Sequence, residues 1–583
     1  MFNGFLLHQS SLSTAPRRRR SFRPSVESLE TRALLSTLTV TNLSDSDPGS
    51  LRAMINQASP GDTINFADGL EGTITLTSGE LAITKNLDIE GAAHITVSGN
   101  NSSRVFDIRP GIDATLAGLT ISNGQVKASS TTSDVILFGG GIYNAGALTL
   151  SNCTVSNNLT EADVTNGNGY LILAYSYGGG LFNNGTASVT GCSFTGNTSS
   201  YSFSITSSNS LVFGAGHGGA IGNTGQLTLI DSTLDGNTSG GDGGGLFNSG
   251  QAMVSGSTFS NNKAGNGGGG TGIPINTEVY GGGIDNEFGT LTMANCTVAN
   301  NQAQSGLNLT GASGRTISAG GGVYSLGELS MVSCTVAGNS ITSVAQGSSF
   351  ALSQGGGVCI NPSSPHGGQL VNTIVAGNSS DQLGPDVFGS FASLGHNLIG
   401  ATDDSSGWTG TDLTGIKASP LNPLLGSLQN NGGPTQTMAL LPGSPAIDAG
   451  DNNYAPRPND QRGDGFPRIV NGTIDIGAFE VQSGGDSLAP PSKSGAIVVQ
   501  LDPMQSVRGR VSALFPVKYS AVMELAPQQP GSQKAQLDLQ QGINRRSALD
   551  ALFAAGHNVG RDIDGQTLDA TAVVHSGPIF CFT

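Results

Sequence analysis

Charged residues are scarce in this chain. Asp, Glu, Lys and Arg make up 11% of the 583 residues, against roughly 25% in ordinary soluble domains. The formal net charge is −16, and between residues 138 and 378 nine acids stand against two basic residues, Lys263 and Arg315. Nucleic-acid binding needs clustered Lys and Arg, so it is excluded as a function. A polyuronate lyase groove is excluded for the same reason, because its base and its charge-neutralising groups are basic residues.

Long apolar runs, abundant aromatics and metal-type cysteine spacings are also missing. No run of 18 or more apolar residues occurs, so no transmembrane helix is predicted. The aromatic content of 5% excludes a large, bulky core. Cys153, Cys192, Cys296 and Cys334 lack C-x₂-C spacing and occupy one repeated position. We expect these four to be buried free thiols, with disulfides between adjacent repeats as the alternative.

Glycine, in contrast, is abundant and periodic. The 88 glycines include clusters that end at Gly141, Gly180, Gly219, Gly245, Gly283, Gly322 and Gly357, with spacings of 39, 39, 26, 38, 39 and 35. Such a period indicates a solenoid or a propeller. The 26-residue unit decides between them, because a propeller blade needs about 40 residues. We therefore predict an all-β fold, a right-handed parallel β-helix of the pectin-lyase type, whose longer units carry insertions at one corner.

Asparagines recur in register after the glycine clusters, and we expect their side chains to bond one another along the stack. They are Asn144, Asn183, Asn223, Asn248 and Asn286.

A short helix is predicted before the repeats. Residues 51–58 form an amphipathic pattern with Ser50 as N-cap, which predicts an N-terminal capping helix.

Two sets of motifs resemble known bacterial families. G-G-A-I (218–221), F-T-G-N (194–197) and F-S-N-N (259–262) resemble the repeats of polymorphic outer-membrane proteins, which are β-helical surface adhesins. That resemblance implies an adhesin-like protein of the cell surface or outer membrane. The translocator that ends those adhesins is not recognised here, so autotransport is not expected.

The second resemblance covers residues 370–480. L-G-H-N-L-I-G (394–400), Q-N-N-G-G-P-T-Q-T (429–437), G-S-P-A-I-D-A-G (443–450) and D-I-G-A-F-E (475–480) resemble the choice-of-anchor domain of bacterial right-handed β-helix surface proteins. Residues 20–36 resemble the leader of large bacterial surface proteins; the alternative is a basic disordered tail. Together these resemblances imply a secreted or surface-associated protein, with its export route open.

The expected organisation has five parts. They are a basic leader or export region (1–37), an N-terminal cap with the first coils (38–124), the repeat array with its insertion loops (125–380), a choice-of-anchor-like domain (381–482), and a linker with an unassigned tail (483–583).

Catalytic residues are not expected, although one alternative stays open. Gly216-His217-Gly218 matches a fragment of polygalacturonases, but the acidic motifs that those enzymes need are absent around it. Asp231 and Asp235 are the best carboxylate pair within one unit, with Asp242 and Asp285 nearby in sequence. They could serve a polysaccharide-degrading glycoside hydrolase. Aspartates beside glycine are more often turn formers.

No cofactor is expected, although a calcium site in the C-terminal domain is an alternative. Asp448, Asp451 and Asp475 are candidate ligands because hard cations bind several carboxylates. Turn capping and pairing with Arg462 and Arg468 is the simpler account.

The insertions carry the residues that we expect to contact a ligand. Exposed aromatics above a Ser/Thr/Asn-rich surface suit contact with an extracellular polysaccharide or a surface protein: Tyr170, Tyr175, Tyr177, Tyr201, Phe203, Phe213 and Tyr280. The alternative is that neighbouring insertions pack on one another. The sequence thus predicts an exported adhesive or structural protein, with the hydrolase as its rival.

Overall fold

The computed structural model describes residues 35–166, 171–205, 211–265, 277–306, 315–344 and 350–482. The predicted all-β parallel β-helix is confirmed. Nearly every strand pairs in parallel with its equivalent one repeat later, as Leu148 does with Ala187 and Ala187 with Leu227. Sequence neighbours therefore seldom pair, and the fold depends on contacts between coils about 26 to 40 residues apart.

Each coil of the array has three walls around one apolar core. The first wall contains Ile142–Asn144, Leu181–Asn183, Ile221–Asn223, Leu246–Asn248, Ile284–Asn286, Val323–Ser325 and Val358–Ile360. The second contains Ala147–Ser151, Thr186–Thr190, Gln226–Ile230, Gln251–Ser255, Thr290–Ala294, Glu328–Val332 and Gly368–Val371. The third contains Thr154–Ser156, Ser193–Thr195, Thr233–Asp235, Thr258–Ser260, Thr297–Ala299, Thr335–Ala337 and Ile374–Ala376.

The N-terminal coils and the capping helix also follow the prediction. The helix Leu51–Gln57 begins at Ser50, whose side chain accepts a hydrogen bond from the amide of Ala53. Leu51 and Ile55 are buried in the main core. The strands of this part are Thr37–Val40, Asp62–Phe66, Gly72–Thr75, Leu81–Ile83, Leu87–Ser98, Phe106–Ile108 and Asp113–Ser122. Closing the end of a solenoid in this way protects its core and its strand edge.

The four repeated cysteines stack inside the core. Cys153, Cys192, Cys296 and Cys334 are buried and free of disulfides, as expected. The amide of Cys153 donates to the Sγ atom of Cys192 at 3.3 Å, so equivalent thiols lie directly above one another. A fifth buried free thiol, Cys359, lies outside this row.

Two ladders of asparagine side chains run along the coils. In the first, Asn144 donates to Asn183 and Asn183 to Asn223, each at 2.7 Å, which confirms the predicted stacking. The second joins the asparagines that close each unit, from Asn158 through Asn378. Its last amide donates at 2.9 Å to Asp386, the carboxylate that ends the ladder. These buried amides satisfy both one another and the backbone of the corners.

The insertions form two lobes beside the coils. Their outgoing strands make one eight-stranded parallel sheet: Gln125–Ser130, Leu159–Asn166, Thr198–Ile205, Thr238–Ser239, Lys263–Gly265, Gln302–Gly306, Ser340–Val344 and Ser379–Ser380. The returning strands form two separate sheets. The first lobe contains Val135–Phe138, Leu171–Tyr177 and Leu211–His217, and the second contains Thr277–Tyr280, Arg315–Ala319 and Phe350–Gln354. The 26-residue coil has no long insertion, and it separates the lobes.

After the last coils, the C-terminal part of the chain folds back along the β-helix. The last strands are Val387–Ser393, Leu398–Ile399, Ser405–Ser406 and Leu413–Thr414, followed by the antiparallel pairs Leu425–Gln429 with Thr437–Leu440 and Ile469–Val470 with Thr473–Ile474, and by the 3₁₀ helix Asn452–Tyr454. Val387 pairs with Val358 of the preceding coil, so the β-helix continues past residue 380.

Residues 425–481, here called the return segment, lie on the outer face of the third wall. The Gln461 side chain bonds Thr297 at 2.6 Å and Thr258 at 2.8 Å. The amide of Ala478 donates to Thr335 at 3.0 Å. Phe479 and Ile476 pack with Ile374 in a second apolar cluster. The return segment thus contacts several coils from outside, where the third wall presents small side chains such as Thr258, Thr297 and Thr335.

Removing one ladder asparagine should destabilise the protein, whereas removing its exposed neighbour should not. Asn183→Ala removes one of the two acceptors of the buried Asn144 amide and the amide that donates to the carbonyl of Gln226. We expect a loss of about 2–3 kcal/mol in the free energy of unfolding, measured by guanidinium denaturation.

Asn184→Ala is the matched control, because Asn184 is adjacent but exposed. Its expected cost is below about 1 kcal/mol. Equal losses in the two variants would contradict a stabilising role for the ladder.

Candidate functional site

The lobes bend back over the outer face of the first wall. We call this contact the seam: on one side lies the last residue of each insertion, and on the other the outward residue of each first-wall strand. In the first lobe the seam is aromatic. The ring centroid of Phe138 lies 4.5 Å from that of Phe182, and Tyr177 and Tyr143 each lie 5.9 Å from Phe182. Aromatic stacking therefore fixes the first lobe to the coils.

The second lobe repeats this arrangement. Tyr280 stacks on Tyr324 with ring centroids 4.3 Å apart. Ile317, Ala319 and Cys359 complete this buried apolar group. The same residue positions thus serve the same purpose on both sides of the short coil.

Between the lobes the seam becomes polar. His217 ends the last insertion of the first lobe, and Asp242 ends the short insertion of the 26-residue coil. Asp285 stands in register between Phe247 and Tyr324, which are aromatic. Glu287 follows in the next turn. These four residues form the seam cluster, in which His217, Asp242 and Asp285 are 0% exposed and Glu287 is 3% exposed.

The carboxylates of the seam cluster converge. Asp242, Asp285 and Glu287 each offer one oxygen, and these three oxygens all lie within 4.8 Å of one another. The Nδ1 atom of His217 lies 3.2 Å from Oδ2 of Asp242. The other Asp242 oxygen accepts the amide hydrogen of Tyr280 at 2.9 Å. Oxygen donors at this spacing are of the kind that a hard cation binds.

Aromatic rings surround the cluster and lower its contact with water. The His217 ring stacks on Tyr177 with centroids 4.7 Å apart and lies 4.6 Å from Phe247. The pKa values of Tyr280 and Tyr324 are raised well above the usual value, first by burial and then by nearby negative charge, which for Tyr324 comes chiefly from Glu287. Both phenols therefore stay protonated at neutral pH.

Sequence reasoning found part of this cluster. It noticed His217 for its glycine flanks, and Asp242 and Asp285 as acids near the candidate pair. It missed Glu287 and the meeting of all four residues. One signal was available, because the turn Asn286-Glu287-Phe288-Gly289 is one residue longer than Asn248-Ser249-Gly250. Nothing in the sequence showed that the insertions fold back onto the first wall.

The candidate catalytic pair has structural partners instead. Asp231 adopts a positive φ of 48° in a corner, and one of its oxygens lies 3.3 Å from Arg457 of the return segment. Asp235 accepts hydrogen bonds from Ser260 and Asn261, each at 2.7 Å. Both aspartates thus have structural partners, Asp231 in the return segment and Asp235 in the next coil, and only Asp235 stands beside a glycine.

Two of the three candidate calcium ligands of the C-terminal part, Asp451 and Asp475, accept backbone amides, and Asp448 is exposed. Asp475 accepts the amides of Asp448 and Val481, each at 2.7 Å. Asp451 caps the 3₁₀ helix by accepting from Asn453 at 3.0 Å. Within the described part of the chain, the three carboxylates do not gather into a group with ligand atoms within 4.8 Å.

The arginines beside them pair with other acids, and these charges are buried. Arg462 bonds Asp460 at 2.8 Å, and Arg468 lies 3.9 Å from Glu480. Glu480 also accepts the amides of Val470 and Asp475. Burial, followed by the charge of Asp475, raises the pKa of Glu480 to about 8.

The candidate ligand-contact aromatics divide into buried and exposed residues. Tyr175, Tyr177, Tyr201 and Tyr280 are at most 9% exposed, so they pack within and beneath the lobes, as in the alternative in which insertions contact one another. Phe203 is half-buried and stacks on Tyr201. Phe213 is 42% exposed. Tyr170 lies outside the described residues.

Comparison with known proteins gives no family for this chain. No protein-family model matches the sequence, and no curated protein matches it. In the ranges that the structure covers, no helix is long and apolar enough to cross a membrane. The fold and the geometry of the lobes are therefore the basis for a functional proposal.

The pKa of Glu480 should make stability fall as pH rises. A carboxyl group whose pKa is higher in the folded state holds its proton more tightly there, so its contribution is largest below about 4.5 and is lost as pH approaches 8. We expect the denaturation midpoint to decrease between pH 5 and pH 8.

Glu480→Gln should flatten this slope even if the variant is less stable overall, because an amide does not titrate. Asp448→Asn is the control, since Asp448 is exposed, and it should keep the wild-type slope. An unchanged slope in Glu480→Gln would show that other groups control the pH dependence.

Proposed function

We propose that this is an exported, surface-associated β-helix protein that binds a neutral polysaccharide through the outer surface of its two lobes. The observation that carries the proposal is the presence of exposed apolar side chains on lobe strands that buried rings hold rigid. Phe213 and Phe350 are 42% and 56% exposed. Aromatic side chains fixed at a polar surface stack on the apolar faces of sugar rings.

The lobes are suited to hold such side chains in place. Phe213 lies on the strand Leu211–His217, which pairs in parallel with Leu171–Tyr177. Phe350 begins the strand Phe350–Gln354, with the guanidinium of Arg315 6.0 Å from its ring. Each of these two strands lies at the edge of its three-stranded sheet and is paired along one side. Side chains on a paired strand lose less entropy when a ligand binds than side chains on a free loop.

Charge supports a neutral ligand. The protein carries a net charge of −16, so an acidic polysaccharide would be repelled. In the first lobe the Lys127 ammonium group is already paired, 2.7 Å from Glu161 and 3.2 Å from Asp163.

The export and the cell-surface location in this proposal come from the resemblances to bacterial surface proteins. Protease treatment of intact cells tests that location, because a surface protein is degraded and an internal one is protected.

Binding should depend on the exposed lobe aromatics. The full-length protein is applied to an array of neutral and uronate-containing oligosaccharides. Phe213→Ser with Phe350→Ser should weaken binding to neutral glycans by about tenfold or more, since anchor aromatics contribute most of the energy in such sites. The affinity is then measured by calorimetry with the best array ligand.

Ile416→Ser with Leu441→Ser is the control. These side chains are similarly exposed, at 53% and 43%, but they lie in the C-terminal part. Equal losses in both double variants would contradict a lobe site. Release of reducing ends by the wild type, abolished by Asp231→Asn, would favour the hydrolase instead.

A further inference from the structure

We propose that a depression at the corner between the first and second walls, here called the corner site, binds one ring of a neutral sugar. It is lined by side chains from three consecutive coils: Phe288, Leu326, Glu328, Ser363, Pro365 and His366. The corner site goes beyond the proposed binding by the lobes, because other residues form it. The insertions leave each coil at a different corner, between the third and first walls.

The corner site lies where the chain departs from its repeat. In the array, the corners between the first and second walls have two residues, with two exceptions. The exceptions are the three-residue turn 287–289 and the seven-residue loop 361–367. Both line the depression, the first through Phe288 and the second through Pro365. The extra residues therefore flank the short corner Leu326-Gly327, which lies between them in the stack.

A second depression in the same row of corners shows what the extra residues add. It includes Ile112, Asp113 and Gly146, and its volume is about 370 Å³, against about 340 Å³ for the corner site. Small-molecule sites are typically roughly 300–1,000 Å³, so each depression has room for one sugar ring. The residues that line the second depression include no aromatic ring. The two depressions therefore differ in chemistry and not in size.

The lining of the corner site combines an apolar ring with groups that bond hydroxyls. Phe288 is half-buried, and an aromatic face of this kind packs against the C–H face of a sugar ring. Glu328, Ser363 and His366 are exposed. They offer a carboxylate, a hydroxyl and an imidazole as hydrogen-bond partners. An apolar surface with a few convergent polar groups is the usual composition of a ligand site.

Charge favours a neutral sugar over an acidic one. Glu328 is an acid, and the described residues that line the corner site include neither Lys nor Arg. The carboxylate of a uronate would therefore meet a like charge without a basic partner. Sugar hydroxyls, in contrast, donate to a carboxylate and form charge-assisted hydrogen bonds with it.

Hydrogen bonds hold both sides of the corner site in place. Asn361, which begins the longer loop, donates to the hydroxyl of Tyr324 at 2.6 Å and accepts the amide of Ser363 at 2.8 Å. On the other side, the hydroxyl of Thr290 lies 3.4 Å from the carboxylate of Glu328 and donates to it. Groups fixed in this way lose less entropy when a ligand binds than groups on a free loop.

The test is a titration of the full-length protein with glucose, galactose, mannose and N-acetylglucosamine, followed by saturation-transfer NMR. We expect at least one of these sugars to bind. Phe288→Ala should weaken that binding by about five- to tenfold, because the stacking face is lost. Glu328→Ala should weaken it by about tenfold or more, because a charged acceptor is lost. Glu328 is exposed, so this second variant should fold normally.

Asp113→Ala is the matched control and should bind sugar like the wild type. Asp113 is exposed and occupies the position equivalent to Glu328, beside the depression whose lining lacks an aromatic ring. Phe213→Ser with Phe350→Ser should also keep this binding, because those residues belong to the lobes.

Three results would overturn the corner site. The first is that none of the four sugars binds, and the second is that glucuronate binds more tightly than glucose. The third is wild-type binding in both Phe288→Ala and Glu328→Ala. If Phe213→Ser with Phe350→Ser then abolishes the binding, the sugar is held by the lobes alone.

Discussion

The in-register stacking of equivalent residues from one coil to the next is the constraint on which this structure depends. Each first-wall strand has three residues, and the third-wall strands are equally short. Such strands are stable only because a copy lies about 4.8 Å above and below each of them. The repeat therefore selects residues that can stack on themselves: small apolar residues and thiols inside, amides at the corners, and glycine where backbones come close.

The same constraint explains why the seam cluster stands out. A row that stacks well usually repeats its residue type, as the aromatic residues Tyr143 and Phe182 do beside the first lobe. At the 26-residue coil the seam instead carries His217 and Asp242 at the ends of two insertions and Asp285 on the facing first wall. The carboxylates of Asp242 and Asp285 then lie close together. Stacking makes this arrangement costly unless something neutralises it.

The return segment shows a second use of the repeated surface. Gln461 reaches two coils because Thr258 and Thr297 are equivalent and adjacent in the stack. Its buried ionisable groups, such as Arg468 and Glu480, bond backbone groups of the same segment. The C-terminal part of the chain is therefore bound to the array over several coils. Much of the third wall is covered, and the lobes carry the exposed aromatics on which the proposed binding rests.

The sequence by itself determined the β-helix, the length of its coils and its asparagine ladders, because periodic residues report contacts that are also periodic. The capping helix was also predictable, because its N-cap Ser50 and the spacing of Leu51 and Ile55 are local features of the sequence. Only the tertiary structure decided where the insertions lie, because nothing periodic records that they fold back. Tyr177 and Tyr280 therefore proved to be buried, and Glu287 joined His217, Asp242 and Asp285. Those four residues are separated by up to 70 positions in the chain, and they meet only because two lobes and one short coil share a seam.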